Sequence, residues 1–298
     1  MAVLKKLLFI STFSAASLVQ AQTAAPQFDI YLADLHQQKI SHVKKVNNNS
    51  GYQNQPAFSS DGRFLYWTSE QKNGDASQMD IASLELSTGK TGLYRATTLS
   101  EFSPTVLPDA ALSAVVVEAD GTQRLWRIPA QGEAKALFAE PKDVGYHAWG
   151  PQGDLLLFIL GKDEADHQIA YRSSTGELKT LAKNIGRALA WRPGSQQGYF
   201  TEKQGDRLSL SWFDTGSNTL KSKQLLLPQA GQDLRWLNTN TLLVSAGSSI
   251  YSWQPGANSW QLWLDLSKSC NGSVSRFSIS PDQQKLAFVC QPKVESAT

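Results

Sequence analysis

The sequence predicts an all-β chain folded as a six-bladed β-propeller of four-stranded antiparallel blades. Three observations carry that expectation. Apolar-alternating runs are separated by small-polar turns, a bulky anchor residue returns at a nearly constant interval, and the two ends hold half-units that complete one another.

The anchor is the bulky residue three places before the Asp of "FSSD", Phe58, and the same slot holds Val106, Trp149, Trp191, Trp236 and Ile279. The intervals are 48, 43, 42, 45 and 43 residues. A period of that size in β-rich, turn-punctuated sequence is characteristic of propeller blades. Each anchor closes a first strand. A second apolar strand follows as "FLYWTS", "LSAVVVEA", "LLLFILG", "GYFTEK", "LLVSAG" and "LAFVC". In the first five units a third strand and a hairpin turn come next: "MDIASLELSTGK", "RLWRIPAQGE", "IAYRSSTGE", "LSLSWFDTGS" and "SIYSWQPGAN". Gly89, Gly132, Gly176, Gly216 and Gly256 sit in those turns, where a tight connection calls for positive φ. The sixth unit stops after two strands near Cys290. Residues 29–46, "DIYLADLHQQKISHVKKV", align with residues 80–97 as a third strand, a turn and a fourth strand with no pair before them. The last blade is therefore expected to take its inner strands from the C-terminal end and its outer strands from the N-terminal end, which closes the ring and leaves no exposed array end.

Strand alternation sorts the anchor segments into two faces. Pro56, Pro104, His147, Leu189, Leu234 and Phe277, two places before each anchor, share its direction and should pack between blades; Ala57, Thr105, Ala148, Ala190, Arg235 and Ser278 lie between, where strands crowd toward the axis.

Ahead of the repeats, Lys5 and Lys6 precede an apolar segment from Leu7 to about Val19 and then Val-Gln-Ala, the layout of a secretory signal peptide cut after Ala21. The expected division is residues 1–21 as signal peptide and 22–298 as propeller, in a periplasmic protein with no membrane insertion. Loss of the two leader lysines takes the formal charge from +2 to about zero. Nucleic acid and anionic lipid, which are held chiefly by clustered Lys and Arg, are thereby disfavoured as partners. Cys270 and Cys290, the two cysteines of the chain, are expected to form a disulfide in an oxidising compartment.

The turn "FSSDGRFLYWTS" and its twin "ISPDQQKLAFV" resemble the Pro-Asp propeller repeat of TolB-like proteins. The resemblance spans nearly all of the chain after the leader, although the four middle units keep the motif poorly. It implies a periplasmic six-bladed propeller that engages other proteins through loops at one face and the mouth of its channel. The separate N-terminal α/β domain of TolB is expected to be absent, since the outer strands begin within about ten residues of the cleavage point.

Catalytic chemistry is thinly signalled. His36 and His42 fall on the outer hairpin and read as surface residues; His147 reads as a packed histidine; His167, with Asp163, Glu164 and Asp166, reads as a solvated acidic loop, as does "NGDASQMD". Propellers resembling this one in blade sequence include lyases of pectic oligosaccharides that use a histidine cluster for a metal, and only His147 could approach the channel here. No metal, cofactor or catalytic residue is expected, no nucleophile has an evident base, and the sequence reads as non-enzymatic. Trp149, Trp191 and Trp236 are expected in the core, as are Trp67, Trp126, Trp212 and Trp253, while Trp260 and Trp263 should point to opposite faces of an outer strand. The reading favoured by the sequence is a monomer that binds a protein or peptide through the loops entering each first strand, with Tyr52, Gln53, Tyr146, Arg187, Asp233 and Arg276 lining the channel mouth. Its alternative is a carbohydrate-binding or polysaccharide-degrading propeller of the envelope or the extracellular space.

Overall fold

The computed structural model describes residues 27–74 and 76–293, so the predicted leader lies outside the described residues. Six four-stranded antiparallel sheets follow one another around an axis. Blade 1 runs Gln53–Phe58, Phe64–Asn73, Ala76–Glu85 and Thr91–Leu93; blade 2, Ser100–Val106, Leu112–Val117, Gln123–Ile128 and Lys135–Ala136. Blade 3 runs Val144–Trp149, Leu155–Ile159, Gln168–Arg172 and Leu178–Lys183; blade 4, Ile185–Trp191, Gln197–Gln204, Arg207–Asp214 and Thr219–Leu226; blade 5, Gly231–Asn238, Thr241–Ala246, Ser249–Trp253 and Gln261–Asp265. Blade 6 is built from both ends: Gly272–Ile279 and Lys285–Pro292 supply the inner pair, Asp29–His36 and Lys39–Lys45 the outer pair.

The closure predicted from the sequence is present in full register, with Asp29 opposite Cys290 and pairing continuing to Asp34 opposite Lys285. The Lys285 ammonium meets the Asp34 carboxylate at 2.8 Å, and the Tyr31 ring stacks on Phe288 at 5.4 Å. Cys270 and Cys290 form a disulfide, tying the segment before the innermost strand of blade 6 to the strand that receives the N-terminal pair. The bond fits an oxidising compartment.

The second strand of each blade explains the continuous apolar runs. In blade 3 all of Leu155–Ile159 is buried, because Leu155, Leu157 and Ile159 face the interface with blade 2 while Leu156 and Phe158 face blade 4. The buried apolar residues fall into six such clusters, one between each adjacent pair of blades, blade 6 against blade 1 included. Complete burial of a side chain of this size stabilises by roughly 1.5–3 kcal/mol, so the ring has no weak seam at its closure.

The repeated turn is the same hydrogen-bonded unit at both positions. Ser59 Oγ donates to Asp61 Oδ1 at 2.6 Å and accepts from Phe64 N; Ser280 Oγ donates to Asp282 Oδ1 at 2.5 Å and accepts from Lys285 N. Among the hairpin glycines, Gly89, Gly132, Gly176 and Gly256 have positive φ as expected. Gly216 does not. The left-handed residue of that turn is Asn218 (φ 53), and a Cβ at Gly216 would require the Gln196 side-chain amide to move aside.

All six innermost strands are irregular toward their incoming end. The register slips between Asn54 and Ala57, Phe102 and Thr105, Val144 and Tyr146, Ile185 and Leu189, Gly231 and Asp233, and Val274 and Arg276. Such a bulge changes which side chains face the axis.

Candidate functional site

On the propeller axis lies a cavity of about 470 Å³, within the size range of ligand pockets. Its lining begins at Gln55, Ser103, Tyr146, Arg187, Asp233 and Arg276, runs past the anchors Phe58, Val106, Trp149, Trp191, Trp236 and Ile279, and reaches Ser59, Ser60, Pro193 and Pro281 in the turns that follow the first strands. The cavity thus opens at the face of those turns. The loops entering the first strands, where the sequence places the mouth, lie at its closed end.

That closed end is a polar plug. Arg276 (4% exposed) and Asp233 (2% exposed) form an ion pair, Arg276 Nη1 donating to Asp233 Oδ1 at 3.2 Å, while Phe277 N donates to Oδ2. Arg235 Nη1 stands 3.6 Å from the same Oδ1. Arg187 Nη2 donates to Gln232 Oε1 at 2.6 Å and, at 3.5 Å, to the Ser275 carbonyl. The Arg276 guanidinium lies 4.8 Å from the centre of the Tyr146 ring. Crowding shows in the titration of these groups. Arg276, then burial, pulls the Arg187 pKa below the usual arginine value. Burial, then the nearby Tyr146, pushes the Tyr52 hydroxyl up to about 12, so Tyr52 is neutral.

Of the six residues predicted at the mouth, Tyr146, Arg187, Asp233 and Arg276 line the cavity. Tyr52 packs behind them, its ring 5.4 Å from Phe28 and 6.2 Å from Phe102. Gln53 is not brought to the cavity. It is fully buried, and its Oε1 accepts from Trp67 Nε1 at 2.9 Å within blade 1. The bulge after Asn54, with Gln55 at φ 58, hands the axial position to Gln55. Arg235 is the residue that sequence reasoning passed over. Its signal was a single long cation in a register otherwise held by Ala, Thr and Ser.

His147 is buried (9% exposed), with Nε2 2.9 Å from Ser113 Oγ. Burial, then Arg235, pulls its pKa down to about 3, so it is neutral at physiological pH. His36 and His42 are exposed, and His42 pairs with Asp34 at 2.8 Å. In the acidic loop Asp163 accepts from Ala165 N and Asp166 N, Glu164 pairs with Lys203 at 2.6 Å, and His167 Nδ1 accepts from Gly161 N. No group of three or more His, Cys, Asp or Glu with metal-holding geometry occurs among the described residues. Trp149, Trp191 and Trp236 are half-buried and line the cavity in addition to packing between blades. Trp260 and Trp263 point to opposite sheet faces as expected, each half-buried in a different interface.

No protein family matches the sequence, and no curated protein is similar to it. Solved structures do match. A TolB candidate from Agrobacterium tumefaciens superposes with a TM-score of 0.65 at 12% identity, over 91% of this chain and 100% of that one. The fold is a TolB-like six-bladed propeller. A gluconolactonase from Xanthomonas campestris superposes with a TM-score of 0.63 at 13% identity, over 91% of this chain and 99% of that one. A chain of a nidogen/laminin complex gives 0.59 at 14% identity, over 88% and 98%. Likeness at this level of identity shows architecture alone. The gluconolactonase overturns one expectation nonetheless. A scarcity of recognisable catalytic motifs led to a non-enzymatic reading, and a TolB-like propeller frame of this size carries an enzyme elsewhere.

Proposed function

We propose that this protein is an exported, periplasmic propeller that binds a segment of a protein or peptide partner in the axial cavity. In this reading residues 1–21 are a cleaved signal peptide, residues 22–298 act as one monomeric domain, and Tyr146, Arg187, Asp233 and Arg276 meet the partner, with Arg235 added. Tyr52 supports them from behind, and Gln53 acts only through packing. The observation that carries the reading is the cavity itself: one end is closed by polar side chains fixed by neighbouring blades, and the other opens past apolar rings, so an inserted segment gains both apolar burial and directed polar contacts. The nidogen/laminin complex, in which a propeller of this architecture is found with a protein partner, is consistent with it.

The test is photo-crosslinking in cells, with the crosslinker placed at Ser278 inside the cavity or at Leu262, which is 59% exposed on the rim of blade 5. A discrete adduct formed from Ser278 and not from Leu262 supports the reading. Adducts of the same pattern from both positions refute it.

A second reading, binding or turnover of a carbohydrate, is favoured by the rings of Trp149, Trp191 and Trp236 at the cavity wall, since flat aromatic faces suit sugar rings. A glycan array run with wild-type protein and Trp191→Ala separates the two. Array signals that vanish in the variant support the carbohydrate reading.

A further inference from the structure

We infer that the closed end of the axial cavity is a binding site for an oxyanion, a carboxylate or phosphate group, held by Arg187, Arg235 and Arg276; the inference rests on the reading that the cavity is where the partner binds, and names the chemistry it recognises there. The argument is one of charge. Three guanidiniums face one cavity, and Asp233 is the only carboxylate among the residues that line it. Arg276 and Arg235 share a single oxygen of that carboxylate, at 3.2 and 3.6 Å. Arg187 meets no carboxylate within ion-pair distance among the described residues; its acceptors are an amide oxygen and a backbone carbonyl. The neighbouring Tyr52 and His147 are neutral and supply no compensation.

A chain that is close to electroneutral overall therefore carries two uncompensated positive charges at one partly buried spot. A charge held in a partly buried site without a counter-ion is disfavoured, and the proximity of Arg276, followed by burial, pulls the Arg187 pKa down. An anion in the cavity would relieve repulsion of this kind. Guanidinium groups present planar N–H forks that match the oxygens of carboxylate and phosphate. The fold also holds them ready: Gln232 orients Arg187, and Asp233 and the Tyr146 ring orient Arg276. An acidic side chain or a C-terminal carboxylate on an inserted segment would complete the set, as would a phosphate group.

The experiment is isothermal titration of the mature protein with succinate and, separately, with inorganic phosphate, at constant ionic strength set with chloride, alongside Arg187→Gln and Arg187→Lys. Arg187 is chosen because no ion pair among the described residues depends on it. The expected result is one saturable site for at least one of the two anions, weakened tenfold or more by Arg187→Gln and less by Arg187→Lys. A preference for succinate assigns the site to carboxylates, and one for phosphate assigns it to phosphoryl groups. No saturation by either anion in the tens of millimolar, or equal binding by wild type and Arg187→Gln in a variant that melts normally, overturns the inference. The two readings fail separately. Arginine-dependent anion binding without any adduct from Ser278 keeps the oxyanion site and removes the protein partner. An adduct from Ser278 that is undiminished in Arg187→Gln, with no anion bound, does the reverse.

Discussion

Replacing Glu101 by Gln should remove the largest single loss of stability that this protein suffers as pH rises from 5 to 8. Glu101 lies at the incoming end of blade 2, 2% exposed and packed against blade 1. Thr97 Oγ1 donates to Glu101 Oε1 at 2.6 Å and also lies 3.0 Å from the Leu99 carbonyl. Burial raises its pKa from 4.5 to about 7, the nearby Asp80 adds to the rise, and Thr97, Ile81 N–H and Arg95 oppose it. Asp80 is itself buried and raised for the same reason. Between pH 4.5 and 7 the folded chain keeps a proton that the unfolded chain has released, so stability falls as pH rises through that window and levels off above it. A displacement of this size corresponds to about 3 kcal/mol, a large share of the roughly 5–15 kcal/mol that holds a typical domain together. Glutamine reproduces the shape and donor of the protonated form and cannot ionise. Urea unfolding followed by tryptophan fluorescence at pH 5 and pH 8 measures the effect. The variant should match the wild type at pH 5 and exceed it at pH 8 by about 3 kcal/mol. A difference between the two proteins that is the same at both pH values would refute the reasoning.

Three further outcomes follow from the fold and the site. Asp233→Asn strips Arg276 and Arg235 of their shared carboxylate and should destabilise by about 3–5 kcal/mol, and Arg276→Met added to it should recover a substantial part, because the cost lies in the orphaned buried charge; denaturant melts of both variants measure it. Cys270→Ser with Cys290→Ser removes the cross-link over a separation of 20 residues and should cost about 3 kcal/mol by loop entropy, seen by calorimetry as a lower melting temperature with the fold retained. Deleting residues 27–46 strips blade 6 of its outer pair, so the shortened chain should aggregate or lose cooperative unfolding, and a synthetic peptide of residues 27–46 added during refolding should restore it; unaided cooperative folding of the shortened chain would contradict the closure.

The blade count, the shared sixth blade and the disulfide were legible before any coordinates because each rests on local chemistry. A turn that needs Ser and Asp at fixed offsets, a second strand apolar on both faces and an anchor every forty-odd residues are constraints that one stretch of chain imposes by itself. Four of the cavity-lining side chains, Tyr146, Arg187, Asp233 and Arg276, could be named from the segments entering the first strands, although those segments lie at the closed end of the cavity and not at its mouth. What alternation cannot carry is a bulge. The slip after Asn54 sends Gln53 into blade 1 and Gln55 to the axis, and no residue type near it announces the slip.

Sequence alone therefore determined the architecture, because period, turn chemistry and apolar alternation act between near neighbours. Tertiary structure decided the rest: which face the cavity opens to, that three arginines from blades 4, 5 and 6 converge on a cavity with one aspartate, which pairs with two of them, and that Glu101 sits buried between blades. Those properties depend on sums of charge and burial over residues from different blades, and such sums exist only once the ring has brought the blades together.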